Sequence, residues 1–457
     1  MQPVLSSATD SSTSSDQTLL VLGAGPKAIA LAAKRSALAK QGLPVPKLII
    51  VDRQGVASHW SGQYGFTDGK QMLGTRPEKD IGYPYVSTCW ADDKLNSAVA
   101  AEMLHLSWPG YLIQVGRYPD WIDRGRTRPT HGEWFAYLQW VASQAGVDVV
   151  RAQVNSISRT PDRWRLSCQS MTTQEAITLE GDGLVVTGPG RPITLAGEPT
   201  DHPRILNGET FWLHTHDLLI QQKKGQSPMH VGVIGTGETA AAIVVALVQM
   251  LDTSSFIEVI SPSGVIYTRD EGFEENRLFS DPDGHIARAQ GDHQHTLSWL
   301  SMTERDRREF VRRTDRGVFS LQAMSEVNSA ENVRTVMGTA KHIHTEQEQV
   351  FVDTEYDGRI ERDTYDYLIA ATGFNPLWFM SLLDEQAREY LSAATDNLER
   401  RAIERAIGED LSVQNVMPRL HLPMVAGVAQ GPGFPNLSCL GLLSDRILSS
   451  YVKSAHA

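Results

Sequence analysis

Thr18-Leu19-Leu20-Val21-Leu22-Gly23-Ala24-Gly25-Pro26-Lys27-Ala28 is an apolar run that breaks into a glycine-rich turn and then an alanine-rich stretch. The pattern recurs mid-chain as His230-Val231-Gly232-Val233-Ile234-Gly235-Thr236-Gly237-Glu238-Thr239-Ala240. Each position has a physical reason. Gly23 permits a tight turn, Gly25 lets the backbone approach a pyrophosphate, and Ala28 allows close helix–strand packing. A pyrophosphate would sit on the helix N-terminus, where free N–H groups and the helix dipole favour negative charge. Either copy alone reads equally as a strand–turn–helix without a ligand. Two together imply an α/β protein with two Rossmann-like dinucleotide-binding domains.

The two copies are not equivalent. After the first, a helix from about Lys27 to Lys40 and a strand Lys47-Leu48-Ile49-Ile50-Val51 lead to Asp52, placed to accept hydrogen bonds from a ribose. After the second, a helix from about Glu238 to Leu251 and a strand Phe256-Ile257-Glu258-Val259-Ile260 end on Ser261. A carboxylate there would bind the ribose hydroxyls of NAD and repel a 2′-phosphate. Its absence, with Arg269 shortly after, favours NADPH, the alternative for Arg269 being a solvated arginine. The first turn therefore reads as an FAD site and the second as an NADPH site. Together they describe a flavin reduced by a nicotinamide.

Composition narrows the class. The chain of 457 residues suffices for two or three domains, and its 41% hydrophobic and 21% charged content is that of a soluble globular protein. A net charge of -12 argues against nucleic-acid and anionic-membrane partners. No apolar run approaches the roughly 20 residues needed to span a bilayer. Cys89, Cys168 and Cys439 lie far apart without a Cys-x-x-Cys, which excludes a disulfide scaffold and a zinc site. Buried free thiols in a reducing compartment are expected. Asp292, His293 and His295 sit in a polar stretch that reads as a solvated loop, so no metal is expected. Residues 1–16 lack the basic start and apolar core of a signal peptide and read as a disordered tail, and the protein reads as cytoplasmic.

Residues 53–140 are dense in Trp, Tyr, Gly and Pro, with helices expected near 93–106 and 131–145. Most of these aromatics, Trp60 among them, should pack the core or a flavin pocket. An exit at Val185-Val186-Thr187-Gly188-Pro189 opens a linker over 188–208. Two strands are expected at about 333–353, and a second exit at Ala370-Ala371-Thr372-Gly373 returns the chain to the flavin domain. Residues 296–325, with Arg305, Arg307, Arg308, Arg312, Arg313 and Arg316 among acids, read as an exposed ion-paired helix or as part of a small helical subdomain. Near the C-terminus Asn436 reads as the N-cap of a last helix whose start would face the flavin pyrimidine ring. The expected organisation is an FAD domain (17–205 and 366–457), an NADPH domain (206–275 and 331–365) and a small helical substrate-binding subdomain (276–330). Candidate cofactor contacts are Gly23, Gly25, Pro26, Lys27, Ala28, Asp52 and Trp60 for FAD and Gly235, Gly237, Glu238, Thr239 and Arg269 for NADPH. Thr372, Gly373, Pro435 and Asn436 join them at the two returns of the chain.

Two chemistries are disfavoured directly. A disulfide reductase needs a redox cysteine pair, which is absent. A Baeyer–Villiger oxygenase should carry Phe-x-Gly-x-x-x-His-x-x-x-Trp near the linker, but here Gly197 is followed by His202, one residue too far, and no Trp follows.

Three stretches carry a family resemblance. They are Leu73-Gly74-Thr75-Arg76-Pro77-Glu78-Lys79-Asp80, the segment containing Glu275-Asn276 and Leu278-Phe279-Ser280-Asp281-Pro282, and residues 430–446. Over about residues 19–450 the chain resembles the lysine N6-hydroxylases of mycobactin- and nocobactin-type siderophore pathways. The resemblance implies a flavin-dependent N-hydroxylating monooxygenase: NADPH reduces FAD, O2 adds to give a C4a-hydroperoxide, and the side-chain amine of L-lysine attacks its distal oxygen. It also implies that Lys79 and Asn276 hold the substrate's carboxylate and amino group, and that Ser438 lies where the terminal helix closes over the amine end. The attacking amine must be neutral although a free lysine side chain has a pKa near ~10.4, and a desolvated pocket lowers it. Two departures stand out: Gly74 replaces a Gln of the related ornithine hydroxylases, and Ala370-Ala371-Thr372-Gly373-Phe374 replaces the usual Leu/Phe-Ala-Thr-Gly-Tyr. They keep open a flavin monooxygenase acting on another amine, or a largely uncoupled NADPH oxidase; outside catalysis, an NADP sensor is the alternative. Whether lysine is free or carrier-bound stays open, as does homo-oligomerisation.

Overall fold

The computed structural model describes residues 14–199, 202–225, 228–269, 275–281, 298–314, 317–346 and 349–452. Most of the expected tail, and Asp292, His293 and His295, lie outside the described residues; Ser14 to Asp16 already belong to the first strand. The first unit is built on β1 (Ser14–Leu22), β2 (Val45–Asp52), β3 (Val149–Arg159), β4 (Trp164–Ser170), β5 (Ala176–Gly181) and β6 (Gly183–Val186). With Arg419–His421 they form a seven-stranded sheet in which β1 lies between β6 and β2. Arg419–His421, β6, β1, β2 and the start of β3 pair in parallel, while β3, β4 and β5 continue as an antiparallel extension.

Leu19, Leu20 and Val21 are fully buried, as a continuous apolar run in a strand covered on both faces should be. Each such burial contributes roughly 1.5–3 kcal/mol. The helix Pro26–Lys40 is buried along Ala28, Ile29, Ala30 and Leu31, lying between the sheet and the terminal helix Leu440–Leu448. Of its two buried cations, Lys27 and Lys34, the latter is neutralised by Asp445 at 2.6 Å. Losing either partner alone would strand a buried charge.

The second unit has a five-stranded parallel sheet. Its strands are β7 (Ile205–Asn207), β8 (His230–Ile234) and β9 (Phe256–Ser261), joined by Val333–Met337 and Tyr367–Ala370. Tyr367–Ala370 lies between β8 and β7, so this strand, expected in the flavin domain from residue 366, belongs to the second sheet. A four-residue apolar strand carries no local mark of which sheet will take it. Beyond Val333–Met337, where the sequence suggested two strands in all, an antiparallel meander of Thr339–Glu346, Gln349–Tyr356 and Arg359–Tyr365 follows.

The segment expected as an independent helical subdomain divides between the two units. Trp299 donates from Nε1 to the Val428 carbonyl at 3.0 Å, and Arg308 pairs with buried Glu404 at 2.6 Å, tying Glu304–Thr314 to the first unit. Val318–Ser320 instead pairs with Tyr267–Arg269, and Phe319 and Val327 join the core of the second unit. The ion-paired helix is present, with Arg308–Glu304, Arg312–Glu309 and Arg405–Glu304 pairs. Cys168 and Cys439 are buried as expected, whereas Cys89 is exposed. Among the described residues no helix is long and apolar enough to cross a membrane.

Glu258, buried in the middle of β9, faces the meander. It accepts from Tyr365 at 2.8 Å and from Arg334 Nε at 2.6 Å, and His230 Nε2 lies 3.0 Å away. Burial pushes its carboxyl up, but His230, Tyr365 and Arg334 outweigh burial and hold it at about 2. Contact with Glu258 in turn raises His230 above its usual value. The Glu258 contribution is therefore lost only as pH falls below the usual carboxylate range toward 2. The His230 contribution is full below the unfolded histidine value of about 6.5 and disappears as pH rises through the raised folded one. Denaturant unfolding should thus show a loss of stability as pH rises above about 6.5 that His230→Ala lacks; parallel pH curves for the two proteins would contradict this.

Candidate active site

Each glycine turn is held by the chain that leaves its own sheet. Gly23 has φ +97°, and a Cβ there would lie 2.3 Å from Thr187 Oγ1, at the end of β6. Gly235 has φ +122°, and its Cβ would lie 2.4 Å from the Ala371 carbonyl. Neither position tolerates a side chain. Gly25 and Gly237 are the N-caps of Pro26–Lys40 and Glu238–Met250, and neither helix start has a side-chain cap, which leaves the first N–H groups for a ligand. A Cβ on Gly25 would meet nothing within 4 Å, so the backbone there borders open space.

That space is a cavity of about 520 Å³ between the two units. It brings together Gly25, Pro26, Lys27, Asp52 and Trp60 from the first unit, Glu238, Thr239 and Arg269 from the second, and Pro435 and Asn436 from the C-terminal segment. Gly23, Ala28, Gly235 and Gly237 shape the turns behind it. Asp52 accepts from Gln54 and Gly55 N–H at 2.8 and 2.9 Å and from Ala24 N–H at 3.2 Å. Its carboxylate thereby fixes the turn as well as bordering the cavity, and this donor set at a helix N-terminus fits a dinucleotide.

Several expected contacts have a different or additional job. Lys27 Nζ donates to the Pro435 and Asn436 carbonyls at 3.0 and 2.9 Å, tying the first helix to the C-terminal segment. Asn436 does not cap the terminal helix, which begins at Leu440 with Cys439 at its N-cap position. Its Oδ1 accepts from Ser438 N–H at 2.7 Å and its amide donates to the Pro432 carbonyl at 3.0 Å, closing a turn ahead of the helix. Thr372 and Gly373 do not border the cavity. Thr372 Oγ1 donates to the Ile193 carbonyl at 2.7 Å and Ile193 N–H to the Gly373 carbonyl at 2.9 Å, so the two linkers pair with each other.

Arg269 is not a solvated arginine. Its Nη2 lies 3.4 Å from Glu238 Oε1 and 3.4 Å from the Gly74 carbonyl, spanning the two units. Glu238 Oε2 approaches within 2.8 Å of where a Gly74 Cβ would be, so the carboxylate occupies the space left by the missing side chain. No local pattern marks residues 74, 238 and 269 as neighbours. Nor does any single out His59 and His131, which border the cavity together with Phe374, the departure from the usual Tyr. His131 packs edge-on to Trp60 at 4.8 Å and has its Nδ1 2.8 Å from Thr67 Oγ1. Burial lowers it to about 4, so it is neutral near pH 7.

None of Lys79, Asn276 and Ser438 lines the cavity itself; Ser438 directly follows Leu437, which does. Asn276 and Ser438 are buried, and the Asn276 amide donates to Ser438 Oγ at 3.1 Å. Among the described residues the Asn276 Oδ1 has no hydrogen-bond partner. A buried amide oxygen left unpaired costs about 1–3 kcal/mol, which a donor on a ligand would recover. Cys439 Sγ lies 3.6 Å from the Asn276 carbonyl; burial raises this thiol to about 12, and the charges of Lys79 and Arg277 act against that rise. Asn276 and Ser438 thus meet at the head of the terminal helix, and the turn that carries Lys79 packs on that helix through Tyr83 and Gly441. Of their segments, Gly272, Phe273 and Glu274 lie outside the described residues, as does Pro282.

Comparison with known proteins gives a consistent result. The family of L-lysine 6-monooxygenase and L-ornithine 5-monooxygenase matches residues 103–376. The L-lysine N6-monooxygenase MbtG of Mycobacterium sp. (strain MCS) is 39% identical over 442 residues, covering 95% of each chain. Its counterpart in Mycobacterium tuberculosis is also 39% identical, over 95% of this chain and 94% of that protein. The solved structure of lysine monooxygenase NbtG from Nocardia farcinica, described as having an unprecedented NADPH domain conformation, is 36% identical with a TM-score of 0.79, covering 96% of this chain and all of that one. The ornithine N-hydroxylase KtzI of Kutzneria sp. 744, solved with reduced FAD, NADP+ and L-ornithine, shares the fold at 18% identity and a TM-score of 0.68, covering 95% of this chain and 98% of that one.

The Arg269–Glu238 contact makes a testable demand. Glu238 is partly exposed, so the pair is worth no more than about 1 kcal/mol. On the expectation that Arg269 meets a phosphate of NADPH, removing the competing charge in Glu238→Gln should tighten NADP+ binding by about two- to five-fold. An NADP+ titration of the flavin-loaded variant checks this, and an unchanged or weakened Kd would show that Glu238 does not compete for Arg269.

Proposed function

The chain belongs to the L-lysine 6-monooxygenase/L-ornithine 5-monooxygenase family, and we propose that it hydroxylates N6 of L-lysine with NADPH and O2, as a step toward a hydroxamate siderophore. The observation that carries the reading is the gathering of Asn276, Ser438 and the Lys79 turn beside a cavity bordered by both nucleotide turns. When bound, FAD and NADPH supply the reducing equivalents and the activated oxygen. The chain's own part is to bind, orient and keep water out.

In this reading the N-terminus of Pro26–Lys40 holds the FAD pyrophosphate and Asp52 the ribose, while the start of Glu238–Met250 takes the pyrophosphate of NADPH and Arg269 its 2′-phosphate. Lys79 supplies a cation for the substrate carboxylate, and the unpaired Asn276 oxygen supplies an acceptor for an N–H group. Ser438, already held by Asn276, fixes the amine end. Burial at Asn276 and Ser438 provides the desolvation that favours a neutral amine over an ammonium. These roles are complementary: one charge sets the reach and a dry polar recess sets the protonation state. A cytoplasmic location fits the need for NADPH and the acidic net charge of -12.

The decisive assay follows hydroxylamine product from lysine, ornithine and an N-acylated lysine with NADPH and oxygen. N6-hydroxylated lysine is expected; hydrogen peroxide without any hydroxylated amine would indicate an NADPH oxidase instead. Lys79→Ala should raise the KM for lysine by about ten- to a hundred-fold, the worth of a charge-assisted hydrogen bond. NADPH-driven flavin reduction should be retained in this variant. Equal loss of both would make Lys79 a structural residue.

A further inference from the structure

We propose that Asp80 is a positioning residue that fixes Lys79 at the substrate end of the site. The proposal rests on the reading of Lys79 as the partner of the substrate carboxylate. Asp80 is fully buried. Its Oδ1 accepts from Gly82 N–H at 3.1 Å and from the Tyr85 hydroxyl, and its Oδ2 accepts from Trp108 N–H at 2.7 Å. Trp108 is the first residue of the helix Trp108–Gln114, so its N–H has no acceptor within the helix. One carboxylate thus joins its own turn, Tyr85 and a helix start.

All three partners are neutral. A buried carboxylate satisfied only by neutral donors is an expensive way to fill space, and an apolar side chain would do so at lower cost. Burial pushes the Asp80 carboxyl up to about 7 against the pull of its donors. What the arrangement provides is geometry. Lys79 N–H donates to the Arg76 carbonyl at 2.9 Å and Tyr83 N–H to the Asp80 carbonyl at 3.3 Å, closing a tight double turn. On its other side this turn meets the terminal helix: Gly441 N–H donates to the Tyr83 carbonyl at 2.9 Å. A Cβ on Gly441 would lie 2.3 Å from the Gly82 carbonyl, so the two backbones are in direct contact. Ser438, which holds Asn276, lies just before that helix. Asp80 on one side and Gly441 on the other therefore hold Lys79 at a set distance from Asn276 and Ser438. The side chain of Asp80 is buried among these donors.

The experiment compares Asp80→Asn, Tyr85→Phe and Lys79→Ala with the native holoenzyme at pH 8, reading the lysine KM, FAD content and the rate of NADPH-driven flavin reduction without lysine. Asp80→Asn replaces one acceptor by a donor and should raise the lysine KM by about ten- to a hundred-fold, the effect of an ångström-scale misplacement. Flavin content and reduction rate should stay within about two-fold of native. Tyr85→Phe removes one donor and should shift KM the same way by less. An unchanged KM in folded Asp80→Asn overturns the proposal, and so do parallel losses of flavin reduction and lysine affinity. If Asp80→Asn does not fold, Tyr85→Phe decides on the same criteria. A raised KM in Lys79→Ala with none in Asp80→Asn removes the role of Asp80 alone. An unchanged KM in Lys79→Ala removes the reading of Lys79 and this proposal with it.

Discussion

Backbone contact at two glycines governs the site. In each unit the first glycine of the nucleotide turn lies against the chain that leaves the same sheet: Gly23 against Thr187, and Gly235 against Ala371. The Thr187 hydroxyl donates back to the Leu22 carbonyl at 2.8 Å, locking the end of β1 to the end of β6. Both exits continue into linkers that pair through Ile193 with Gly373 and Arg191 with Asn375. The two turns are therefore connected by a short backbone path. A shift of one sheet relative to the other must pass through these paired linkers, while the glycines keep each turn fixed to its own sheet.

The C-terminal segment does the second part of the work. Gly431 and Gly433 have no room for side chains, because Phe279, Ser280 and Cys439 press against them. This close approach brings Glu275–Phe279 against the loop that carries Ser438, and Asn276 reaches Ser438 as a result. Lys27 then pulls the Pro435 and Asn436 carbonyls onto the first helix. The first glycine turn and the Asn276–Ser438 pair are thus held by the same loop, which sets the distance between them.

Some residues were readable because their signal is local. A strand ending in Gly-x-Gly before an alanine-rich stretch constrains its own backbone, so both turns and their helices appear close to where the sequence placed them. Thr130 and Glu133 start the helix His131–Gln144 with a capping box, again a local device. Other residues do work that residue type alone does not reveal. Asn436 looks like an N-cap by residue type, but its acceptor is spent on Ser438 in a preceding turn. Lys27 borders the cavity as a cofactor contact should, and its ammonium also meets carbonyls some four hundred residues away along the chain, which residue type alone does not show.

The sequence by itself determined that two parallel α/β units each carry a nucleotide turn, and the resemblance of a few short stretches supplied the chemistry. Short-range sterics suffice for this, because a tight turn needs glycine and a covered strand needs a continuous apolar run. Only the tertiary structure decided that Tyr367–Ala370 joins the second sheet, that Arg269 spans from Glu238 to Gly74, and that Asn276 keeps a bare oxygen beside Ser438. Each is a contact between segments far apart in the chain. Its energy depends on distance and burial in three dimensions, which no local pattern of residues records.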